Sequence, residues 1–225
     1  MKKIIAMLMA LVLSFSGAGS VWAAAVSADF ADVNLNAYYY DSIAYVNEAG
    51  LMTGRDDTHF HPDDYLQRQE LAVIIGRHYI NTLNSELNLS TSADYYTDSV
   101  NWVKKHHIMN GYDNGNFGVG DYITREDFIV TLYNYAQQAV GYASIPERDE
   151  SVLGQFADRA KISGYAYEPM YWQVSAGVIR GYDGDGIKVL DPQGHVTRGM
   201  AAVMLERFFE YYGSDFSEYG TVFAE

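Results

Sequence analysis

The 225-residue chain contains no cysteine. That absence excludes disulfide frameworks, thiol nucleophiles and cysteine-rich zinc or iron–sulfur centres. Basic residues are scarce: 15 Lys and Arg stand against 29 Asp and Glu, for a net charge of −14. Nucleic-acid binders gain most of their affinity by neutralising phosphates, so this balance excludes that class. Long apolar stretches are missing beyond the first residues, and nothing else approaches the ~18 residues of a membrane span. Catalytic signatures are missing too. There is no Gly-x-Ser-x-Gly, no phosphate loop, and no carboxylate pair set apart as acid and base. His59, His61, His106 and His107 lack a third partner at metal-ligand spacing and read as loop histidines. Asp183-Gly184-Asp185-Gly186 begins like a calcium loop, but its twelfth position is Gly194 rather than glutamate, which excludes an EF-hand. No metal and no cofactor is expected.

The chain does have a strong hydrophobic content, 48% against 20% charged residues, which excludes compositional disorder. It opens with Lys2 and Lys3, an apolar run from Ile4 to Phe15, and small residues through Ala25. This layout predicts a secretory signal peptide over residues 1–25. Its removal takes away two lysines and no acid, so the net charge becomes −16. About 200 residues remain, enough to bury a sound core without staples.

A threefold repeat organises the rest. Three twelve-residue segments, 43–54, 100–111 and 170–181, align without a gap; each opens on an apolar residue and closes on glycine. Gly54 and Gly111 each precede an arginine by 14 residues, at Arg68 and Arg125. Gly181 precedes Arg198 by 17, so the third loop carries three extra residues. Phe60, Phe117 and Leu190 sit eight residues before the arginine, and Tyr38, Tyr95 and Tyr165 five before the aligned block. Phe30-Ala31-Asp32 matches Phe156-Ala157-Asp158.

Each unit reads as helix, turn-rich loop, helix. The first helix of unit one is predicted over residues 40–49, ended by Gly50 or Gly54. His107 replaces the first glycine in unit two, so the cap there is expected at Gly111. The second helix starts at the arginine. Its apolar positions, such as Leu71, Ile74, Ile75 and Tyr79, have helical spacing and read as core. One such unit cannot bury its apolar face alone. Three copies make either a short solenoid or a closed pseudo-threefold arrangement. Residues 26–80, 81–140 and 141–212 are taken as the repeats, the last two with polar connectors, and 213–225 as a short tail.

The start of the second helix is the candidate site. Thr124-Arg125-Glu126-Asp127 has both halves of a capping box; Gln67 and Met200 break it in the other units. Arginine at the first helical turn opposes the helix dipole, so three of them ask for a reason. One reading is a surface salt bridge in an acidic protein. The other is an anion site, in which free helix-start amides and a guanidinium clasp a carboxylate or phosphate. Neighbouring tyrosines could stack on sugar rings or simply pack.

The combination of Phe-x-Asp, the spaced aromatic, Gly-(Leu/Ile/Val)-x-x-Gly, Phe-x-Pro and Thr-Arg-x-Glu resembles the S-layer homology (SLH) domain, in three tandem copies. The resemblance implies an all-α fold: a three-pronged helical spindle with pseudo-threefold symmetry, built from three helix-loop-helix repeats. It implies non-covalent anchoring of a secreted protein to the bacterial cell wall through an anionic secondary cell wall polysaccharide, often pyruvylated. The grooves lie between repeats. The residues that match the family's binding motif are Arg68, Arg125 and Arg198, the aromatics Tyr38, Tyr95 and Tyr165, and Gly54, Gly111 and Gly181. Tyr112 and Tyr182 follow two of those glycines. Gln67, Met200, His107 and the longer third loop depart from the motif, so the grooves are not expected to be alike. The expectation is a cell-surface binding module with no catalysis. The alternatives are an envelope scaffold acting through protein contacts, with other surface proteins as partners, and, with least support, a glycan hydrolase.

Overall fold

The computed structural model describes residues 30–83, 86–140 and 151–219. The signal segment 1–25 and most of the connector before the third repeat lie outside them. Helices α1 (Tyr40–Glu48) and α2 (Arg68–Thr82) form the first repeat, and α3 (Thr97–Lys105) and α4 (Arg125–Val140) the second. A short turn of helix, α5 (Ser151–Gly154), precedes α6 (Tyr167–Ser175) and α7 (Arg198–Tyr219) in the third. The second helices begin at the three arginines, as the spacing predicts. Helix α4 ends at Val140, and helix α7 runs into the segment expected as a tail, ending at Tyr219.

The first helix of each unit ends at one structural position. Gly50, His107 and Gly177 all have positive φ, at 67°, 55° and 73°. His107 therefore takes the left-handed cap itself, and the cap does not move to Gly111 as the missing glycine suggested. A histidine pays a modest steric penalty there that glycine avoids. The extra residues of the third loop form a hairpin. Strand β1 (Tyr182–Gly184) pairs antiparallel with β2 (Ile187–Val189), and Asp185 and Gly186 turn between them with φ of 54° and 79°. Positive φ at both turn residues suits the twist of a two-residue hairpin loop.

The repeats close into a ring. The Leu66 N–H donates to the Val196 carbonyl at 2.8 Å, Val196 to Ile123 at 3.1 Å, and Ile123 back to Leu66 at 3.0 Å. This triangle of main-chain bonds, two residues before each arginine, excludes an open solenoid. The residues just before it, Tyr65, Tyr122 and His195, are exposed and meet ring to ring at 5.3–5.8 Å on the axis. Helix packing is cyclic as well: α3 lies on α2, α6 on α4, and α1 on α7. Each packed pair therefore joins two successive repeats, and the first helix covers the last.

Down the axis, the core layer ten residues after each arginine holds His78, Tyr135 and Phe208, all buried. His78 Nδ1 hydrogen-bonds Tyr135 Oη at 2.6 Å, and its ring stacks on Phe209 with centroids 3.8 Å apart. Burial lowers its pKa to about 3. The folded state thus disfavours the imidazolium relative to the unfolded chain. The stability this confers is complete above pH 6.5 and erodes as pH falls toward 3, by up to about 1.4 kcal/mol per unit. Among the described residues, Gln173 is a core side chain with both polar atoms buried and unsatisfied. Val46, Val103 and Gln173 occupy the same repeat position and are fully buried, and neither amide atom of Gln173 meets a polar group.

Two outcomes follow for thermal unfolding. Gln173→Met keeps the volume and removes two unsatisfied polar atoms, so the chain should gain roughly 1–3 kcal/mol and its Tm should rise. A lower Tm would contradict the reading of that site. The Tm of the native chain should fall as pH is lowered from 6.5 to 4, and His78→Gln should flatten that slope.

Candidate functional site

The three arginines are buried, each 5% exposed, and each reaches into the next repeat. Arg68 Nε donates to the Phe117 carbonyl at 2.9 Å, Arg125 Nε to Leu190 at 2.7 Å, and Arg198 Nε to Phe60 at 2.9 Å. Arg68 Nη2 also reaches the Asn110 carbonyl at 2.8 Å, and Arg198 Nη2 the Thr53 carbonyl at 2.6 Å. The residue after each Nε acceptor turns the chain with positive φ: His61, Gly118 and Asp191, at 59°, 81° and 50°. In two repeats a carboxylate fixes that turn. Asp32 accepts from the Phe60 and His61 N–H groups at 2.9 and 2.7 Å, and Asp158 from Leu190 and Asp191 at 2.9 and 2.7 Å. Burial alone would raise the Asp32 pKa, but these N–H donors outweigh it and hold it below the usual range. The second repeat has Asn116 instead, whose Oδ1 accepts from Gly118 at 3.0 Å.

The helix-start amides are not free for a ligand. Arg68 N–H donates to the Asp121 carbonyl at 2.9 Å, Arg125 to Gly194 at 2.8 Å, and Arg198 to Asp64 at 2.9 Å. Glu126 and Gly199 donate to the Pro192 and Pro62 carbonyls at 2.9 and 2.8 Å. These orphan donors are satisfied by the neighbouring repeat, so the first turn joins repeats rather than offering an anion nest. The capping arrangement also differs from the sequence reading. Glu70 Oε2 accepts from the Gln67 N–H at 2.8 Å in the first repeat. Asp127 in the second turns away, to Arg68 Nη1 at 3.0 Å and the Tyr165 hydroxyl at 2.8 Å.

The glycines before the loops have a packing reason. A Cβ on Gly54 would lie 2.3 Å from the Asp56 carbonyl oxygen, on Gly111 2.7 Å from that of Asn116, and on Gly181 2.4 Å from that of Val189. Only hydrogen fits these positions.

The eleven expected site residues fall, among the described residues, into three grooves between the repeats. The Arg68 groove, about 640 Å³, includes Gly111, Tyr112 and Tyr165. The Arg198 groove, about 340 Å³, includes Gly54 and Tyr95. The Arg125 groove, about 330 Å³, includes Gly181, Tyr182 and Tyr38. Each groove draws its arginine, its glycine and its tyrosine from three different repeats. The guanidinium of Arg68 lies 4.9 Å from the Tyr112 ring centre, and that of Arg125 5.5 Å from Tyr182. In the third groove Arg55 follows the glycine, and Arg198 lies 4.5 Å from the Phe60 ring instead. Such contacts favour a cation over a π face. Tyr38, Tyr95 and Tyr165 are 67%, 61% and 60% exposed, so they are available for stacking in a way that core tyrosines are not.

The groove walls contain charges that the repeat motif alone did not reveal. Two residues after the arginine stand Glu70, Asp127 and Met200; nine residues after it stand Arg77, Asn134 and Arg207. Arg77 Nη1 reaches the Leu51 carbonyl at 3.1 Å, Asn134 Nδ2 reaches Ile108 at 3.2 Å, and Arg207 Nη1 reaches Val178 at 3.5 Å. Arg55 is paired with Glu70, and Arg68 with Asp127 at 3.0 Å. Burial lowers the Arg198 pKa to about 10, with Arg55 adding repulsion, and burial lowers that of Arg125 too. Both remain cationic at neutral pH. Among the described residues no group of three or more His, Asp or Glu side chains is disposed to hold a metal. No helix among them is long and apolar enough to cross a membrane.

A closed ring of three helix-loop-helix repeats with an Arg/Tyr/Gly groove at each junction defines a class of helical repeat module. Family comparison gives it a name: the S-layer homology domain matches residues 29–72, 89–129 and 155–202, and the chain belongs to that family. It is 28% identical over 183 residues to an endoglucanase of Bacillus sp. (strain KSM-635), covering 74% of this chain and 18% of the enzyme. It is 24% identical over 196 residues to the surface-layer 125 kDa protein of Lysinibacillus sphaericus, covering 86% and 16%. It is 24% identical over 197 residues to an S-layer protein of Bacillus thuringiensis subsp. finitimus, covering 85% and 22%. The chain spans roughly a fifth of the length of these relatives. Membership of this family of cell-wall-binding modules makes the chain a secreted protein of the cell surface.

The clasp predicts a stability cost. Arg198→Lys keeps a charge but loses the fork that holds the Phe60 and Thr53 carbonyls together. Denaturant unfolding should register a loss of about 1.5–3 kcal/mol. Unchanged stability would mean that the clasp does not hold the repeats.

Proposed function

We propose that the chain anchors a surface protein to the cell wall by binding an anionic wall polysaccharide in the grooves between repeats. The observation that carries this reading is the composite make-up of the grooves: a buried guanidinium, an exposed tyrosine and a close glycine turn, each from a different repeat. A guanidinium fixed by main-chain carbonyls is already desolvated and oriented, so little further ordering is needed on binding. Tyrosine supplies a flat apolar face with a polar tip, which suits sugar rings and their hydroxyls. The net charge of −14 opposes an anionic partner at long range, so affinity has to arise from these local sites. A pyruvate ketal is a fitting acidic substituent, because it combines a carboxylate and a methyl group on one carbon. In this reading the chain itself catalyses no reaction and needs no cofactor. The endoglucanase relative, of which the matched segment is 18%, is compatible with a binding module attached to a separate activity.

The test is co-sedimentation of the purified chain with isolated walls, before and after chemical extraction of the secondary polysaccharide. Binding should be lost on extraction. Tyr38→Ala combined with Tyr95→Ala should weaken binding by about 1–3 kcal/mol while leaving the Tm unchanged, because both rings are exposed. Undiminished binding to extracted walls would sink the proposal.

A further inference from the structure

Eight residues after the helix-start arginines stand Gly76, Tyr133 and Glu206. Two of the three helix junctions are filled at this level. Glu206 on α7 accepts a hydrogen bond from the Ser42 hydroxyl on α1. Tyr133 on α4 lies edge-on to Trp172 of α6, with ring centroids 5.2 Å apart, and its hydroxyl donates to Glu168 at 3.3 Å. The third junction, α2 against α3, receives no side chain there, because the residue is Gly76. Across from it is Ser99, which precedes its aligned block as Ser42 precedes the first. A Cβ on Gly76 would lie 3.2 Å from Ser99 Oγ. Ser99 is 4% exposed, and its hydroxyl has no hydrogen-bond partner among the described residues. Where Ser42 meets Glu206, Ser99 faces a cavity of about 310 Å³. Glycine inside a helix costs stability relative to any ordinary side chain, so helix α2 itself does not favour it. Leu89 Cδ1 would lie 2.8 Å from the added Cβ, but it is the end of a side chain that can turn aside.

The loop over the cavity is held in place. Asp98 accepts from the N–H groups of Thr91 and Ser92, the latter at 2.9 Å, and from the Thr91 hydroxyl at 2.8 Å. A site with ordered walls loses little further entropy on binding. Those walls present hydroxyls at Ser90, Ser92 and Ser99 and apolar faces at Ile80 and Leu89. Their charges balance, with Arg77 against Asp94, and Arg77 Nη1 already donates to the Leu51 carbonyl at 3.1 Å. Hydroxyls, apolar faces and no net charge suit an uncharged polyhydroxylated ring rather than an ion. A purely apolar ligand would leave the Ser99 hydroxyl buried and unpaired, which is costly. Val73, Arg77 and Tyr95 line both this cavity and the Arg198 groove. A ligand longer than one ring can therefore run from one to the other across Tyr95.

Resting on the wall-binding reading above, we propose that the cavity beside Gly76 is a second sugar subsite, which takes an uncharged pyranose joined to the ring held in the Arg198 groove. Ser99 donates to a hydroxyl or ring oxygen of that pyranose, and Leu89 and Ile80 pack on its apolar face. At the other two junctions Tyr133 and Glu206 occupy the corresponding space. The Arg198 groove thus reads two successive rings of the polysaccharide, and Gly76 is the residue that makes room for the second.

Mono- and disaccharides released from isolated walls by partial acid hydrolysis, and sorted by size, are the probes. Methyl NMR of the purified chain reads the two sites separately, since Met52 lines the Arg198 groove while Ile80 and Leu89 line the cavity. The disaccharides should shift all three methyl signals saturably, with an affinity about tenfold above that of the monosaccharides. Gly76→Gln fills the cavity and gives Ser99 a partner, as Glu206 does for Ser42. It should bring the disaccharide affinity down to that of the monosaccharides. Ser99→Ala removes a hydroxyl that the fold does not use and should weaken disaccharide binding about fivefold, which keeps the test decisive should the Gln variant fail to fold. The subsite is rejected if Ile80 and Leu89 stay silent, if disaccharides bind no tighter than monosaccharides, or if the folded variants keep the native advantage. Wall co-sedimentation separates the two proposals: walls bound with Ile80 and Leu89 silent rejects the subsite alone, and walls left unbound rejects both.

Discussion

Everything in this structure depends on a ring of hydrogen bonds that passes from each repeat to the next and returns to the first. Three main-chain bonds close the axis, between Leu66, Val196 and Ile123. Three arginine Nε–carbonyl bonds run around them. The first helical N–H of each long helix completes a third set. None of these bonds lies within a repeat. A two-helix unit could not satisfy its own helix start or cover its own apolar face, so the ring is what makes each repeat stable.

The same constraint builds the grooves. An arginine that reaches into the next repeat leaves its guanidinium at the junction, desolvated and held by carbonyls. The loop glycine arrives there because no Cβ would fit beside the turn. The tyrosine comes from the third repeat because its helix packs on the neighbouring one. A structural role therefore does not take these arginines out of the grooves. Their Nε atoms serve the fold, and the remaining face lines a groove. Small differences at symmetric positions then set the chemistry of each groove, as Glu70, Asp127 and Met200 do.

Much of this was legible in the sequence because a threefold repeat exposes its own register. The helix starts at Arg68, Arg125 and Arg198 follow from spacing alone, and so does the assignment of core positions. Other features depended on partners distant in sequence. The arginine of one repeat meets a carbonyl 138 residues away in the case of Arg198 and Phe60, and no local pattern announces a main-chain acceptor. His107 could not be recognised as a left-handed cap, because only glycine signals that conformation reliably. The charges of the groove walls were present in the sequence at Arg77, Asn134 and Arg207, but their meaning needed the junctions between repeats.

A structure of the chain bound to a fragment of the wall polysaccharide tests the role of these grooves most directly. The sugar should be seated in a groove between repeats, its acidic group against an arginine and its ring on an exposed tyrosine. A sugar bound elsewhere, such as on the axial cluster of Tyr65, Tyr122 and His195, with the grooves left empty would contradict it.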